Sequence, residues 1–568
     1  MKLGTGSSAG LDIEVNEMSE IYEDYYKEIL DENGRITDIE LSYDDSFNFA
    51  YDVMDRLAKE YPDERALVHK TAEGKRTVFT FADIKRFSDR TVVMLSKLRI
   101  TKGDAVLLLL KRRYEFWISI LALHKLGAVA VPTSHMVSAE DIRERAKLSG
   151  AKAVICVNAD DICDKVERAI EGLDVVQLVV GEPYKDKPSF DRLFAESTGS
   201  FPRVQTSVTD DMLYYFTSGT NGAPKAVIHD FSYPLAHIYT AKNWHGVKKG
   251  GLHLTVADSG WAKSAWGKLY GQWFMGSAIM VYDYEQFYAG DMLKLIESEQ
   301  ITTFCAPPTI YKYFVREDIS KYNLNNLCYV TTAGEPMPAE VSQKFTDMTG
   351  MVIREGFGQT ETALQICTST ADAQVKGSIG YASPLYDIRL VDESGNEVPE
   401  GEVGEIVIVP KKDMAPIGIF KGYLGDEDLY KDIWYGGVYH TRDKAKKDKN
   451  GAFYFVGRND DVIKSSGYRI GPSEVEDILM RHPAVFECAV TAYPSKTRGS
   501  LVKASVILSE DYKPDNKLAT ELQEYVKKRA AIYKYPRIVK FVNDLPRTTT
   551  GKISRAKIRE ADYRDVNF

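Results

Sequence analysis

Between Asp104 and Val180 the chain repeats one pattern: a short, predominantly apolar run, then a longer segment of mixed polarity. The apolar runs include Ala105-Val106-Leu107-Leu108-Leu109-Leu110, Ala128-Val129-Ala130-Val131, Ala153-Val154-Ile155-Cys156-Val157 and Val175 to Val180. Runs of four to six residues without regular polar alternation suit strands buried on both faces. The intervening segments read as helices, as in Arg113 to Leu126, with Phe116, Ile118, Ile120, Leu121 and Leu123 apolar. Ser138-Ala139-Glu140-Asp141 is suited to capping the next one. Strand and helix in alternation imply parallel sheets covered by helices, an α/β fold.

The pattern returns from Ile301 through Val330. Short strands near Ile388 to Val391 and Gly404 to Val409 then predict a small barrel-like subdomain. A fresh helix near Glu474 to Met480, strands at Val485 to Ala492, Val502 to Leu508 and Arg537 to Val542, and a helix at Leu518 to Arg529 predict a small C-terminal α/β domain. The expected division is 1–459 and 460–568, since 568 residues exceed one hydrophobic core. Residues 1–45 read as an acidic, partly helical surface extension.

Charge is uneven along the chain. The net charge is −9, yet from Asp461 onward 20 basic residues face 14 acidic ones. A basic C-terminal part on an acidic body suits a lid over polyanions. The acidic body and the lack of a recognition motif argue against nucleic acid. No apolar run reaches membrane-spanning length. Residues 11–64 carry 18 acidic against 4 basic side chains, which argues against an organelle transit peptide. Six cysteines without CxxC spacing fit free thiols in a reducing compartment, and the expected location is the cytoplasm. Homo-oligomerisation stays open.

The chemistry is concentrated in loops. Phe216-Thr217-Ser218-Gly219-Thr220-Asn221-Gly222-Ala223-Pro224-Lys225 offers hydroxyls, glycine backbone and a lysine to phosphate oxygens, without the spacing of a Walker A loop. Four further segments follow in order: Thr332-Ala333-Gly334-Glu335-Pro336, then Gly356-Phe357-Gly358-Gln359-Thr360-Glu361-Thr362, then Tyr439 to Asp443 with Gly457 to Asp461, and last Pro546 to Lys552. With these the chain resembles the adenylate-forming superfamily of acyl-CoA synthetases, luciferases and carrier-protein adenylation domains, over roughly residues 50 to 560.

The resemblance implies ATP-dependent activation of a carboxylic acid as an acyl-adenylate, followed by transfer to a thiol. It assigns Thr217, Ser218, Gly219, Thr220 and Lys225 to the β,γ-phosphates, with Asn221 and Ala226 departing from the family's usual Thr and Gly. Gly334, Glu335, Pro336, Gly356, Phe357, Gly358 and Gln359 would form the adenine slot. Thr360 would donate to the α-phosphate, Glu361 would bind Mg²⁺, and Asp443 with Arg458 would hold the ribose. Arg442 stands where relatives often have Gly. Lys552 would be the catalytic lysine of adenylation and Asp460 the hinge of a C-terminal domain that rotates between half-reactions. Gly467 would let pantetheine pass, and Arg469, Lys534, Arg537 and Lys540 are candidates for the phosphates of coenzyme A.

Asp258-Ser259-Gly260-Trp261-Ala262-Lys263, Arg498 to Ala504 and Tyr533 to Arg537 resemble the medium-chain acyl-CoA synthetase branch. Trp261 and Lys263 are candidates to line the acyl pocket. Acetate-restricted relatives carry Trp where this chain has Gly358, so room for several carbons is expected there and acetate is expected to be a poor substrate. Two rival functions remain at this point: an enzyme that loads a carrier protein, and a non-enzymatic acyl or nucleotide sensor.

Overall fold

The structure, a computed structural model, describes residues 20–218, 224–411, 416–459, 461–465, 468–495, 499–548 and 551–565. The apolar runs form four neighbouring strands on one side of a seven-stranded sheet. Ala105–Leu109, Val129–Pro132, Ala153–Val157 and Val176–Val180 pair in parallel. Every residue of the first three is buried. The connecting helix Glu115–Leu126 is also buried along its whole length, which is why it carries apolar side chains all round rather than on one stripe. Helix Ala139–Ser149 begins at Ser138, whose hydroxyl accepts from the Asp141 amide while the Asp141 carboxylate accepts from Ser138.

A second sheet has nine strands and a parallel centre. Tyr329–Ala333 and Ile353–Gly358 lie side by side within it, with Ala333 opposite Gly356. Their carboxyl ends therefore deliver Gly334-Glu335 and Gln359-Thr360-Glu361 to one edge, the usual place for a ligand in an open α/β sheet. The predicted barrel-like part is a five-stranded antiparallel sheet spanning Asp387–Val391 to Phe453–Arg458. In it Asp443 and Arg458 are direct cross-strand partners.

The C-terminal part forms another five-stranded sheet, running from Ile463–Ser465 to Ile538–Phe541. It has its own apolar core, including Ile463, Val475, Leu479, Val502 and Leu522. The N-terminal segment differs from the expected partly helical extension. After a single turn at Ile21–Asp24, Tyr26–Leu30 and Ile36–Leu41 form an antiparallel hairpin. Ile21, Tyr26 and Ile39 are buried in the main core, so burial of these three residues prevails over the acidic surroundings. Among the described residues no helix is long and apolar enough to cross a membrane.

Candidate active site

The C-terminal part brings Lys552 onto the strand ends of the second sheet. Gly334 adopts φ +106°, and the Lys552 Cε lies 3.8 Å from the position a Cβ would take there. The lysine is carried on a tight turn: the Thr548 amide donates to the Lys552 carbonyl at 2.7 Å, and the Gly551 amide to Thr548 at 2.9 Å. Lys552 is open to solvent along the cleft it crosses, yet protein packed around its path pulls the ammonium pKa down. Glu335, Asp443 and Glu361 oppose that effect and Arg458 adds to it. Five candidate residues assigned from separate motifs thus converge on one space.

Gln359 is fixed by three hydrogen bonds. Its Nε2 donates to the Thr441 carbonyl at 2.7 Å and to Asp443 Oδ2 at 2.6 Å, and the Tyr439 hydroxyl donates to its Oε1 at 2.6 Å. The expected adenine slot and the expected ribose carboxylate are therefore tied directly together. Phe357 lies 5.7 Å from Phe455, centroid to centroid, giving the slot an aromatic wall. Thr360 is held through its carbonyl, which accepts from His229 Nε2 at 2.7 Å. Burial pushes the His229 pKa down to about 4, so the ring is neutral at pH 7 and has one N–H to give.

Glu361 accepts a hydrogen bond from the Tyr423 hydroxyl at 2.7 Å. Lys225 lies across the same ring at 5.8 Å and pairs with Thr217 on the neighbouring strand. Its pKa is lowered by burial first, then by Arg442, while Glu361 and Asp426 raise it. Arg442 itself adopts φ +61°, the region that favours Gly, and its amide donates to Glu405 Oε1. No cluster of three or more metal-ligating side chains occurs among the described residues. The lone Glu361 carboxylate fits Mg²⁺ held in the way nucleotide enzymes hold it, by one or two carboxylates together with substrate phosphates.

On the acyl side, Lys263 Nζ donates to the Ala333 carbonyl at 2.8 Å, and its pKa is lowered chiefly by burial. The Trp261 ring lies 3.5 Å from where a Cβ on Gly551 would stand. Gly358 is closely packed. The space beside it is filled by another indole: Trp266 Cη2 lies only 2.4 Å from the position of a Gly358 Cβ, and the Ala363 carbonyl lies 2.7 Å away. Gly356 is backed in the same way by Trp244 at 2.5 Å. Gly358 thus makes way for Trp266.

Pro336 is exposed beside Glu335. Lys534 donates to Glu474 Oε2 at 2.6 Å, and Arg537 to the Tyr535 hydroxyl at 2.8 Å. Arg469 contributes backbone to a short hairpin with Lys464 opposite. Ser218 ends the strand Asp211–Ser218. Gly219, Thr220, Asp460 and Gly467 lie outside the described residues. Sequence reasoning passed over Tyr423, Tyr439, His229 and Trp266. Tyr439 sits in a motif already noted, beside Asp443, and had a local signal; the other three had none.

The profile of the AMP-binding enzyme family matches residues 54–424, and that of the AMP-binding enzyme C-terminal domain matches 474–552. The chain belongs to the AMP-binding enzyme family. It is an AMP-forming acid–thiol ligase of the medium-chain acyl-CoA synthetase branch. It is 35% identical over 532 residues to human "Acyl-coenzyme A synthetase ACSM4, mitochondrial", covering 91% of each chain. It is 36% identical over 525 residues to "4-hydroxybutyrate--CoA ligase 1" of Metallosphaera sedula, again covering 91% of each. Among solved structures, the anthranilate CoA ligase AuaEII in complex with anthranoyl-AMP superposes with a TM-score of 0.85 at 26% identity, covering 92% of this chain and 98% of that one. In this AMP-binding enzyme, the Lys552 turn falls within the region matched by the C-terminal family profile.

Proposed function

We propose that this AMP-binding enzyme converts a short carboxylic acid, ATP and coenzyme A into acyl-CoA, AMP and diphosphate through an acyl-adenylate. The observation that carries the reading is the placement of Lys552 beside Gly334, within the field of Glu335, Asp443 and Glu361. An ammonium between an incoming carboxylate and the α-phosphate offsets the repulsion of two anions and the charge that builds on phosphorus. Thr217, Ser218, Gly219, Thr220 and Lys225 would hold the β,γ-phosphates, and Thr360 the α-phosphate. Gln359 would orient Asp443 toward the ribose hydroxyls, with Arg458 adjacent. Glu361, oriented by Tyr423, would hold Mg²⁺. That ion, when bound, would neutralise phosphate oxygens.

Residues 1–459 would form the body and 460–568 a lid. A turn about Asp460 would then withdraw Lys552 and admit pantetheine past Gly467. Arg469, Arg537 and Lys540 would meet the phosphates of coenzyme A; Lys534, paired with Glu474, would have to exchange partners. The Trp266 indole favours short chains, linear or branched, over long ones. The name of one relative, a 4-hydroxybutyrate--CoA ligase, fits an acid of this size. The free, mostly buried thiols suit a reducing compartment such as the cytoplasm.

The test is a panel of acids from C2 to C10, including branched, hydroxylated and aromatic members, assayed for AMP and acyl-CoA. Acid-dependent AMP formation with equal acyl-CoA is expected for the short members. AMP and acyl transfer to a pantetheinylated protein, but not to free coenzyme A, would instead identify a carrier-loading enzyme. No AMP with any acid would remove the enzymatic reading.

A further inference from the structure

Glu487 is almost fully buried, 3% exposed, and it serves two cations from different parts of the chain. Arg547, at the base of the Lys552 turn, donates to its Oε2 at 2.6 Å. Lys312, on the body helix Pro308–Phe314, reaches its Oε1 at 3.5 Å. Arg547 also donates to the Gly551 carbonyl at 3.1 Å. The result is a continuous path from the body to the residue before Lys552. Beside it, the Arg316 guanidinium lies 4.0 Å above the Phe486 ring, a second contact between body and lid that is independent of the ionic one.

The two halves of this path differ in strength in an informative way. The short bond, from Glu487 to Arg547, lies within the part that carries Lys552. The long one, to Lys312, crosses to the body. A buried carboxylate that lost every partner would be strongly destabilising. Here separation of lid from body would break only the long contact and leave Glu487 neutralised by Arg547. The joint can therefore open and close without stranding a charge.

We infer that Glu487 is a positioning residue for adenylation: it couples docking of the C-terminal part on Lys312 to presentation of Lys552 at the nucleotide. The inference rests on the proposed role of Lys552. The experiment separates the two half-reactions: acid-dependent exchange of diphosphate into ATP, and coenzyme A-dependent consumption of supplied acyl-adenylate. Glu487→Gln is expected to lower exchange by about tenfold or more while thioester formation stays within about twofold. Lys312→Met, on the body and outside the nucleotide and acyl sites, should give a smaller loss confined to exchange, and Lys312→Arg should restore it. Equal loss of both half-reactions in Lys312→Met, or unchanged exchange in both Glu487→Gln and Lys312→Met, would overturn the inference. Wild-type protein without acid-dependent exchange would instead remove the reading of Lys552 on which it depends, and the inference with it.

Discussion

Replacing Trp266 with Ala should shift this enzyme toward longer acids. The indole is 5% exposed, and its Cη2 stands 2.4 Å from where a Gly358 Cβ would be. If the acyl chain leaves the carboxylate end past Gly358, the indole stands in its path. Three added methylenes in the vacated volume, at about 0.8 kcal/mol each, amount to about 2.4 kcal/mol, or roughly 60-fold in kcat/KM. The same truncation of a buried Trp costs about 3–5 kcal/mol of stability, so Trp266→Leu serves as a milder companion. The assay compares kcat/KM for C3 and C6 acids in wild type and both variants, with AMP binding as the check on folding. The C6-to-C3 ratio should rise by one to two orders of magnitude in Trp266→Ala and by less in Trp266→Leu. An unchanged ratio in a variant that still binds AMP would show that the indole does not bound the acyl pocket, and the size argument would fall.

Two other expectations follow from the charges. Lys552→Ala should abolish acyl-adenylate formation from acid and ATP while largely sparing conversion of supplied acyl-adenylate to thioester; equal loss of both, in a folded variant, would refute the division. Glu355 lies within the field of Asp477. Burial, with Asp477 adding repulsion, raises the Glu355 pKa from 4.5 to about 8, while burial and then Glu476 raise Asp477 to about 6. A carboxyl whose pKa is raised by folding favours the folded arrangement when protonated. That contribution is full below 4.5 and is lost progressively as pH rises to about 8. The melting temperature should therefore decline across this window, and Glu355→Gln should flatten the dependence; an identical pH profile in the variant would refute the linkage.

The parts of the site legible in the sequence are those where phosphate and ribose chemistry restricts residue type within a few consecutive positions. Lys552, Glu361, Asp443 and Arg458 were each marked by a motif, and the structure brings them together. The alternating apolar runs likewise announced the parallel sheets, because a strand buried on both faces cannot hide its composition. What stayed hidden depends on contacts between distant segments. Tyr423 reaches Glu361 across 62 residues, and Tyr439 reaches Gln359 across 80; only Tyr439 lies in a recognised motif. Trp266 carries no such mark either: the volume beside Gly358 belongs to whichever neighbour packs there, and consecutive residues do not say which. The N-terminal hairpin was missed for a similar reason: three buried residues decide its place, and they are scattered through an acidic stretch.

The packing of Trp266 against Gly358 also limits how acyl preference can drift by mutation. One indole fits this space, and it can be supplied from the helix Lys263–Lys268 or from the end of the strand Ile353–Gly358, but not from both. A tryptophan introduced at 358 meets an occupied volume and the Ala363 carbonyl, so alone it is a steric defect. After Trp266 has been reduced to a small residue, the same substitution refills a cavity. Its sign thus depends on what came first, as expected for side chains in direct contact. Exchange between the two arrangements has a preferred order, with the loosely packed intermediate first, and that intermediate is the one open to longer acids.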